Sequence, residues 1–558
     1  MKLNKWMPAR QIAVGVILVV TLALAGCSPA QSSQPTAPST SPAAPAQVVT
    51  GKVAIFTPAD GITISQHTPI NKWAVFIPEL EQALIQQGFT KKNISSTTDK
   101  SLDKQSQAVQ DYVVSELKPK QTEKGEQPQT PTTLVVAPVA QSQSLTRQYG
   151  DYVGHVMQQP QSDSSPSADS SASDSADSKN ARNLGEESSD REDSNDQTHS
   201  YQRLVSSLQL AKESGMHVVI LSNDISDLQP DLFVDMSNAE QIGRMQAQQV
   251  VNKLELDKAS KANPRYIEVL LPKEHSSDQT QDDNAESIHD DFAQSAFKGI
   301  WQVLAPYFLD GRALSPSGLL SSKSGEQDWE TLTFAPGNNT SATSDELTRR
   351  LRYSKADASE NGLPRVDGVI AMNDFIASGV VGALGDMGYT GSSADVNPEI
   401  SISGIVSSMT GKKDVQRRPV PQPQSNSADS DTTADTEPGA PSAEGKTGAN
   451  SDNKAQTYTH WPIVTGYGAY TDTLPQIVDG RQWMTGIEDR QGLAHSLALS
   501  CQELNAGSSV KAQADVSESE LHGRKITTLS KPLIAISASN LKSSLIDTGY
   551  VKPADAGL

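Results

Sequence analysis

Short runs of β-branched and other apolar residues recur along the chain at 53–56, 134–137, 218–221, 266–271, 369–372 and 400–405. Between them, at 73–87, 201–214, 239–254, 292–309 and 374–387, the apolar positions follow a helical period. Strand-length runs alternating with amphipathic helices predict an α/β fold built on parallel sheets with crossover helices. Gly88, Gly215 and Gly388 stand just past three of the helical segments, where a left-handed C-cap is wanted. In open sheets of this kind a ligand sits outside the carboxyl ends of the strands. The residues to watch are therefore Thr57-Pro58, Pro138-Val139, Ser222-Asn223-Asp224, Pro272-Lys273, Asn373-Asp374 and Val406-Ser407.

Two stretches break the pattern. Residues 160–200 are dominated by Ser and Asp, and 415–458 by Pro, Ser, Ala, Gly and Asp. Neither offers enough apolar surface to offset the entropy of ordering its chain, so both are expected to be disordered inserts. They explain why 558 residues carry only 5% aromatics, and they hold much of the formal net charge of -20. The acidity therefore reads as solvation. It also excludes a nucleic-acid partner, which would require a clustered basic face.

The amino end has its own grammar. Lys2, Lys5 and Arg10 precede an uncharged apolar run from 12 to 25 that ends at Leu24-Ala25-Gly26-Cys27. A positive start, a short apolar core and small residues before the break describe a signal peptide, 1–26. The run is shorter than the roughly 20 residues a membrane-crossing helix needs. Small residues before a cysteine resemble a lipobox, which makes Cys27 the site of lipidation. Two acyl chains hold where one would not, since each buried CH₂ contributes about 0.8 kcal/mol. The polar, uncharged stretch 27–49 then reads as a flexible tether, and the protein is expected on the extracytoplasmic face of a cell membrane. Of the two cysteines this leaves Cys501, in an apolar stretch, as a small core residue.

Enzyme chemistry finds little to stand on. The stretch 439–447 resembles a P-loop with one residue too many between its glycines, no strand before it, and a place in the second insert. No His-Glu-x-x-His helix and no Gly-x-Ser-x-Gly elbow occurs. The nine histidines are scattered, with His275 and His289 in an acidic loop. No enzyme activity, metal or cofactor is expected.

VDGVIAMNDFIASGVVGALGDMGY at 366–389, FKGIWQVLAPYFLDG at 297–311, GMHVVILSND at 215–224 and the closing LIAISASNLKSSLIDTGYVKPADA at 533–556 resemble, in order and spacing, the periplasmic-binding-protein type I family. The closest likeness is to its xylose- and multiple-sugar-binding lipoproteins. Lys72-Trp73 is placed like the basic-Trp pair of that family's first helix, and Gly88-Phe89 like its Gly plus aromatic. The resemblance implies a two-lobed fold, each lobe a parallel sheet flanked by helices, with a hinge of three crossings closing on one small solute. One lobe would be 50–232 plus about 465–525 and the other 233–464 plus about 526–558. It also implies a monomeric receptor that hands its solute to an ABC permease in the same membrane.

A sugar offers hydroxyls all round and flat C–H faces, so its site needs paired donors and acceptors with an aromatic ring beneath. Asn373 and Asp374 meet that need at a strand end, with Trp73 as platform and Lys72 beside it; Asn223, Asp224 and Asn238 are secondary contacts. The plain alternatives are a helix N-cap for Asn373-Asp374 and a core position for Trp73. The pattern also has gaps. Ser222-Asn223 stands where the sugar-binding relatives carry Asp-Arg, Ile405-Val406 where they carry Gln-Asp, Phe76 where a pocket Asp follows the tryptophan, and Asn238 replaces a hinge-adjacent Asp. Each lost charged hydrogen bond is worth roughly 1.5–3 kcal/mol, so two or three would weaken the usual ligand by roughly 10²- to 10⁶-fold. Two readings follow: a receptor for a less hydroxylated solute, or a degenerate binding fold acting as a surface sensor or interaction lipoprotein.

Overall fold

The computed structural model describes residues 50–59, 68–118, 121–122, 125–126, 130–140, 146–154, 156–157, 187–273, 283–352, 363–395 and 460–553. The signal peptide, Cys27, the tether, the strand expected at 400–405, Val406-Ser407, His275 and the second insert lie outside them.

The first sheet collects β1 (Lys52–Pro58), β2 (Ile94–Asp99), β3 (Thr132–Val136), β4 (His217–Leu221) and β5 (Leu232–Asp235). It runs in the order β2-β1-β3-β4-β5 with every pair parallel. Helices α1 (Trp73–Gln86), α2 (Leu102–Leu117) and α3 (Glu187–Glu213) cross over between these strands. A second sheet repeats the plan with α4 (Ala239–Lys253), β6 (Arg265–Val269), α5 (Asp283–Leu309), β7 (Ala313–Leu314), α6 (Ser341–Arg352), β8 (Gly368–Ile370), α7 (Asp374–Met387), β9 (Ile463–Thr465), α8 (Leu474–Asp479) and β10 (Met484–Ile487). Its order, β7-β6-β8-β9-β10, is the same topology shifted along the chain.

After β10 the chain returns to the first sheet as α9 (Arg490–Asn505), β11 (Val516–Leu521) and β12 (Arg524–Ser530), then ends in the second as β13 (Ile534–Ser537). β12 joins β5 in parallel and β13 joins β10 antiparallel. The chain therefore passes between the sheets three times, at 236–238, 488–489 and 531–533. This is a two-lobed arrangement, each lobe a largely parallel sheet flanked by helices, as the resemblance implied. The crossings correct the boundaries read from sequence: 465–487 belongs to the second lobe, and 526–530, with β5, to the first. The short strands β9 and β10 were too brief to signal which sheet they join.

Each lobe buries its sheet between helix layers. The α1 face made by Trp73, Phe76, Ile77, Leu80, Ala83 and Leu84 is buried at helical spacing and packs with α9 over one side of the first sheet. Cys501 lies in that layer, fully buried, its thiol pushed up to about 12 by desolvation. Phe297, Ile300, Leu304 and Phe308 of α5 pack against α4 beneath the second sheet. The expected left-handed caps at Gly88, Gly215 and Gly388 all have positive φ. One expectation fails: α3 begins at Glu187, so 187–200 is helix where a disordered insert was expected. The segment holds no Gly or Pro to stop it, and acidic residues at a helix start are favoured by its dipole. His289, expected in a loop, falls within α5.

Candidate ligand site between the two sheets

One strand end in each lobe carries the same backbone device. β4 is followed by Ser222 at φ 64° and Asn223, and β8 by Ala371, Met372 at φ 65° and Asn373. In each, the Asn N–H folds back to the carbonyl two residues earlier, Asn223 to Leu221 at 2.6 Å and Asn373 to Ala371 at 2.8 Å. A side-chain-bearing residue at positive φ costs on the order of 1–3 kcal/mol and is held only where the surroundings impose it. Here the strain turns an asparagine out of the end of each sheet.

The asparagines are spent differently. Asn223 Nδ2 donates to the Pro138 carbonyl of its own lobe at 2.8 Å. Asn373 caps α7 by accepting from the Ile376 N–H at 2.9 Å, and its amide reaches across the gap to donate to Gln148 Oε1 at 3.0 Å. Asn373 is thus the N-cap of the plain alternative, and its amide is bonded across to Gln148. Asp374, expected beside it in the gap, is buried inside its own lobe. It accepts from Gln482 Nε2 (2.6 Å), Thr485 Oγ1 (2.8 Å) and the Tyr470 N–H (3.1 Å). Burial pushes its carboxyl up to about 6 against those three bonds. Gly466 makes room, since a Cβ there would lie 2.2 Å from Asp374 Oδ1.

Trp73 is 2% exposed and meets Tyr152 and Phe76 edge-on, at centroid distances of 5.0 and 5.9 Å. It packs as first-lobe core. Lys72 pairs with Asp151 at 3.2 Å, while the other Asp151 oxygen accepts from the Trp73 N–H at 3.1 Å and so caps α1. Asp224 is ion-paired with Arg524, its second oxygen buried without a partner. Asn238 caps α4 through the Gln241 N–H (2.9 Å) and donates to Asp235 (3.1 Å). The structure brings Lys72 and Trp73 together, and Asn223 and Asp224, but assembles the seven into no single constellation.

What stands between the lobes instead is residues 146–154, the segment after β3. Tyr149 is fully buried in the core of the second lobe, 4.7 Å from Phe292 and 6.2 Å from Tyr467 between ring centroids, and Val153 joins the same cluster. Gln148 is held from the second lobe on both sides, by Asn373 and by the Tyr470 hydroxyl donating to its carbonyl at 2.6 Å. Gly150, at φ 101°, lets the turn close on Asn71; a Cβ would lie 2.7 Å from Asn71 Cβ. Two surface hollows, one lined by Thr130, Met216 and Leu504 and the other by Tyr389, Trp461 and Arg481, lie at the opposite, amino ends of the strands.

A buried polar cluster surrounds Tyr467 where the crossings meet the gap. Asn71 Nδ2 donates to the Tyr467 hydroxyl at 3.1 Å, and Ser237 and Glu488, one on each of two crossings, adjoin it. Asn71 Oδ1, the Tyr149 hydroxyl, Ser237 Oγ and both Glu488 carboxyl oxygens are buried and form no close hydrogen bond, although the Asn373 side chain lies against the Tyr149 hydroxyl and Ser237 against both Tyr467 and Glu488. An orphaned buried polar group costs about 1–3 kcal/mol, and native structures hold few of them. Sequence reading missed all four residues. Each is a lone polar position outside any motif, and Glu488 reads as a solvated residue before a helix.

Burial, reinforced by Asp235 and Asp489, pushes the Glu488 carboxyl up to about 8 from its ordinary 4.5. An unfolded chain ionises near the ordinary value, whereas the folded protein keeps this proton until about 8. The stabilising contribution is therefore full below about 4.5 and is lost as pH rises through about 8. Urea unfolding should show Glu488→Gln gaining on the parent by a few kcal/mol between the two ends of that span. Parallel pH profiles for the two proteins would mean the carboxyl titrates normally.

Among the described residues no group of three or more His, Cys, Asp or Glu is placed to hold a metal ion, and no helix is long and apolar enough to cross a membrane. No family model and no curated protein matches the chain. Solved structures do. An ABC transporter solute-binding protein from Clostridium phytofermentans with bound β-D-glucose is 15% identical, the match covering 90% of this chain and 99% of that one at a TM-score of 0.44. A carbohydrate transporter solute-binding protein from Chloroflexus aurantiacus in complex with D-glucose is 15% identical, covering 90% and 97% at 0.42. A periplasmic ribose ABC transporter from Conexibacter woesei is 12% identical, covering 90% and 97% at 0.40. This chain is two-lobed by its own sheet order and its three crossings.

Proposed function

We propose that the protein is a lipid-anchored, extracytoplasmic solute receptor that closes its two lobes on a small, sugar-type molecule and passes it to an ABC importer. The observation that carries this reading is the set of buried polar groups that form no close hydrogen bond, Asn71 Oδ1, the Tyr149 hydroxyl and Ser237 Oγ, gathered around Tyr467. A fold that must bury them is stabilised by any solute whose hydroxyls satisfy them, and ligand favours the closed form by that differential affinity. Asn373 adjoins the same place through its bond to Gln148, next to Tyr149. The anchor rests on the lipobox-like Leu24-Ala25-Gly26-Cys27; mass spectrometry of the mature amino terminus should find a diacylglyceryl group on Cys27.

A thermal-shift screen of mono- and oligosaccharides with their amino derivatives tests the binding reading. A ligand should raise the melting temperature, and Asn71→Ala should abolish the shift. A second reading, a degenerate fold serving as a surface sensor or interaction lipoprotein, draws on Tyr149 and Val153 being seated in the opposite core. It expects no shift from any solute, and that outcome would replace the first reading.

A further inference from the structure

We infer that the solute this gap selects carries a protonated amine, held against Glu488, in preference to a neutral sugar. The inference rests on the receptor reading above and specifies its ligand. Glu488 is fully buried on the second crossing, with neither carboxyl oxygen in a close hydrogen bond and the Ser237 hydroxyl of the first crossing beside it. Asn71 Oδ1, an acceptor on the first lobe, is orphaned in the same cluster. Orphaned acceptors call for donors, and an ammonium group offers three with no lone pair to be stranded.

The charges facing Glu488 point the same way. Asp235 from the end of β5 and Asp489 on its own crossing both disfavour its ionisation, and it in turn acts on the phenols of Tyr467 and Tyr152. The basic group nearest in sequence, Arg490, is engaged elsewhere: it is bonded to Glu79 at 2.9 and 3.0 Å and stacked 4.0 Å from the centroid of Tyr550. A desolvated acid on which no cation among the described residues acts favours a cation brought by the ligand, since a buried charge is tolerated when paired. A neutral sugar leaves the carboxyl protonated and satisfies only part of it. On binding an amine, Glu488 gives its proton to solvent and the resulting carboxylate pairs with the ammonium N–H groups. Affinity for the amine should therefore rise about tenfold per pH unit up to about pH 8.

The smallest probe avoids any assumption about the rest of the ligand. Melting temperatures of the full chain are compared in methylammonium chloride and in sodium chloride at matched ionic strength, at about pH 6 and about pH 8. Methylammonium should stabilise beyond sodium, more so at the higher pH, and Glu488→Gln should erase the difference while retaining a cooperative melt. Equal curves in the two salts, or an advantage that survives Glu488→Gln, overturn the inference. The second arm pairs D-galactose with 6-amino-6-deoxy-D-galactose in the saccharide screen. A neutral sugar that binds as well as its amino partner overturns the amine preference but leaves the receptor standing.

Discussion

Tyr149→Ala is expected to destabilise the protein by about 3–5 kcal/mol, the range for deleting a buried aromatic ring, and to loosen the hold of one lobe on the other. Tyr149 comes from the first lobe but counts as core of the second, against Phe292 and Tyr467. Its removal leaves a cavity where the lobes meet and frees the flanking Gln148 to leave Asn373 and Tyr470. Urea unfolding should report the loss of stability, and small-angle scattering should report a larger radius of gyration. Tyr149→Phe separates packing from polarity. It keeps the ring and removes a buried hydroxyl that has only the Asn373 side chain beside it and forms no close hydrogen bond, so it should stabilise the unliganded protein by about 1–3 kcal/mol while weakening any solute that uses that hydroxyl. Unchanged scattering and stability in Tyr149→Ala would mean the segment merely rests on the second lobe.

The contact also bears on how much of the molecule its sequence announces. The apolar runs at 53–56, 134–137, 218–221 and 369–372 fall within or just past strands β1, β3, β4 and β8, because central parallel strands are buried on both faces and read as unbroken hydrophobic stretches. β2 did not announce itself: it is an edge strand, ISSTTD, whose four middle residues are exposed. β11 and β12 pair antiparallel at the other edge and are likewise partly polar. The place of Asn373 was legible as a strand end that opens a helix, since Asn is a favoured N-cap residue. Gln148 and Tyr149 were not, since 146–154 lacks a sustained helical or strand period and its second-lobe partners, Phe292, Asn373, Tyr467 and Tyr470, all lie far along the chain. Glu488 was illegible for a related reason. Its meaning comes from Ser237 and Tyr467, which the crossings bring to it, and no local pattern encodes a crossing.

Asp374→Ala should prove the most damaging single change near the gap, lowering stability by about 3–9 kcal/mol as three donors lose one buried acceptor at about 1–3 kcal/mol each. The carboxylate ties three elements together: α7, which it opens; the turn after β9, through the Tyr470 N–H; and β10, through Thr485. Thr485 Oγ1 also accepts from the Ala469 N–H at 3.1 Å, and Ala469 sits at φ 48°, so the bond network restrains a strained turn. That turn presents Tyr467 and Tyr470 to the first lobe. Asp374→Asn should recover part of the loss: its carbonyl can still accept from Gln482, but its amide cannot accept from Tyr470. A ligand, once found, then separates support from contact. If Asp374 acts through the turn, Asp374→Asn will bind with reduced affinity in proportion to its lost stability. A variant that melts like the parent yet loses the ligand outright would instead place the Asp374 carboxyl against the solute, as the sequence alone suggested.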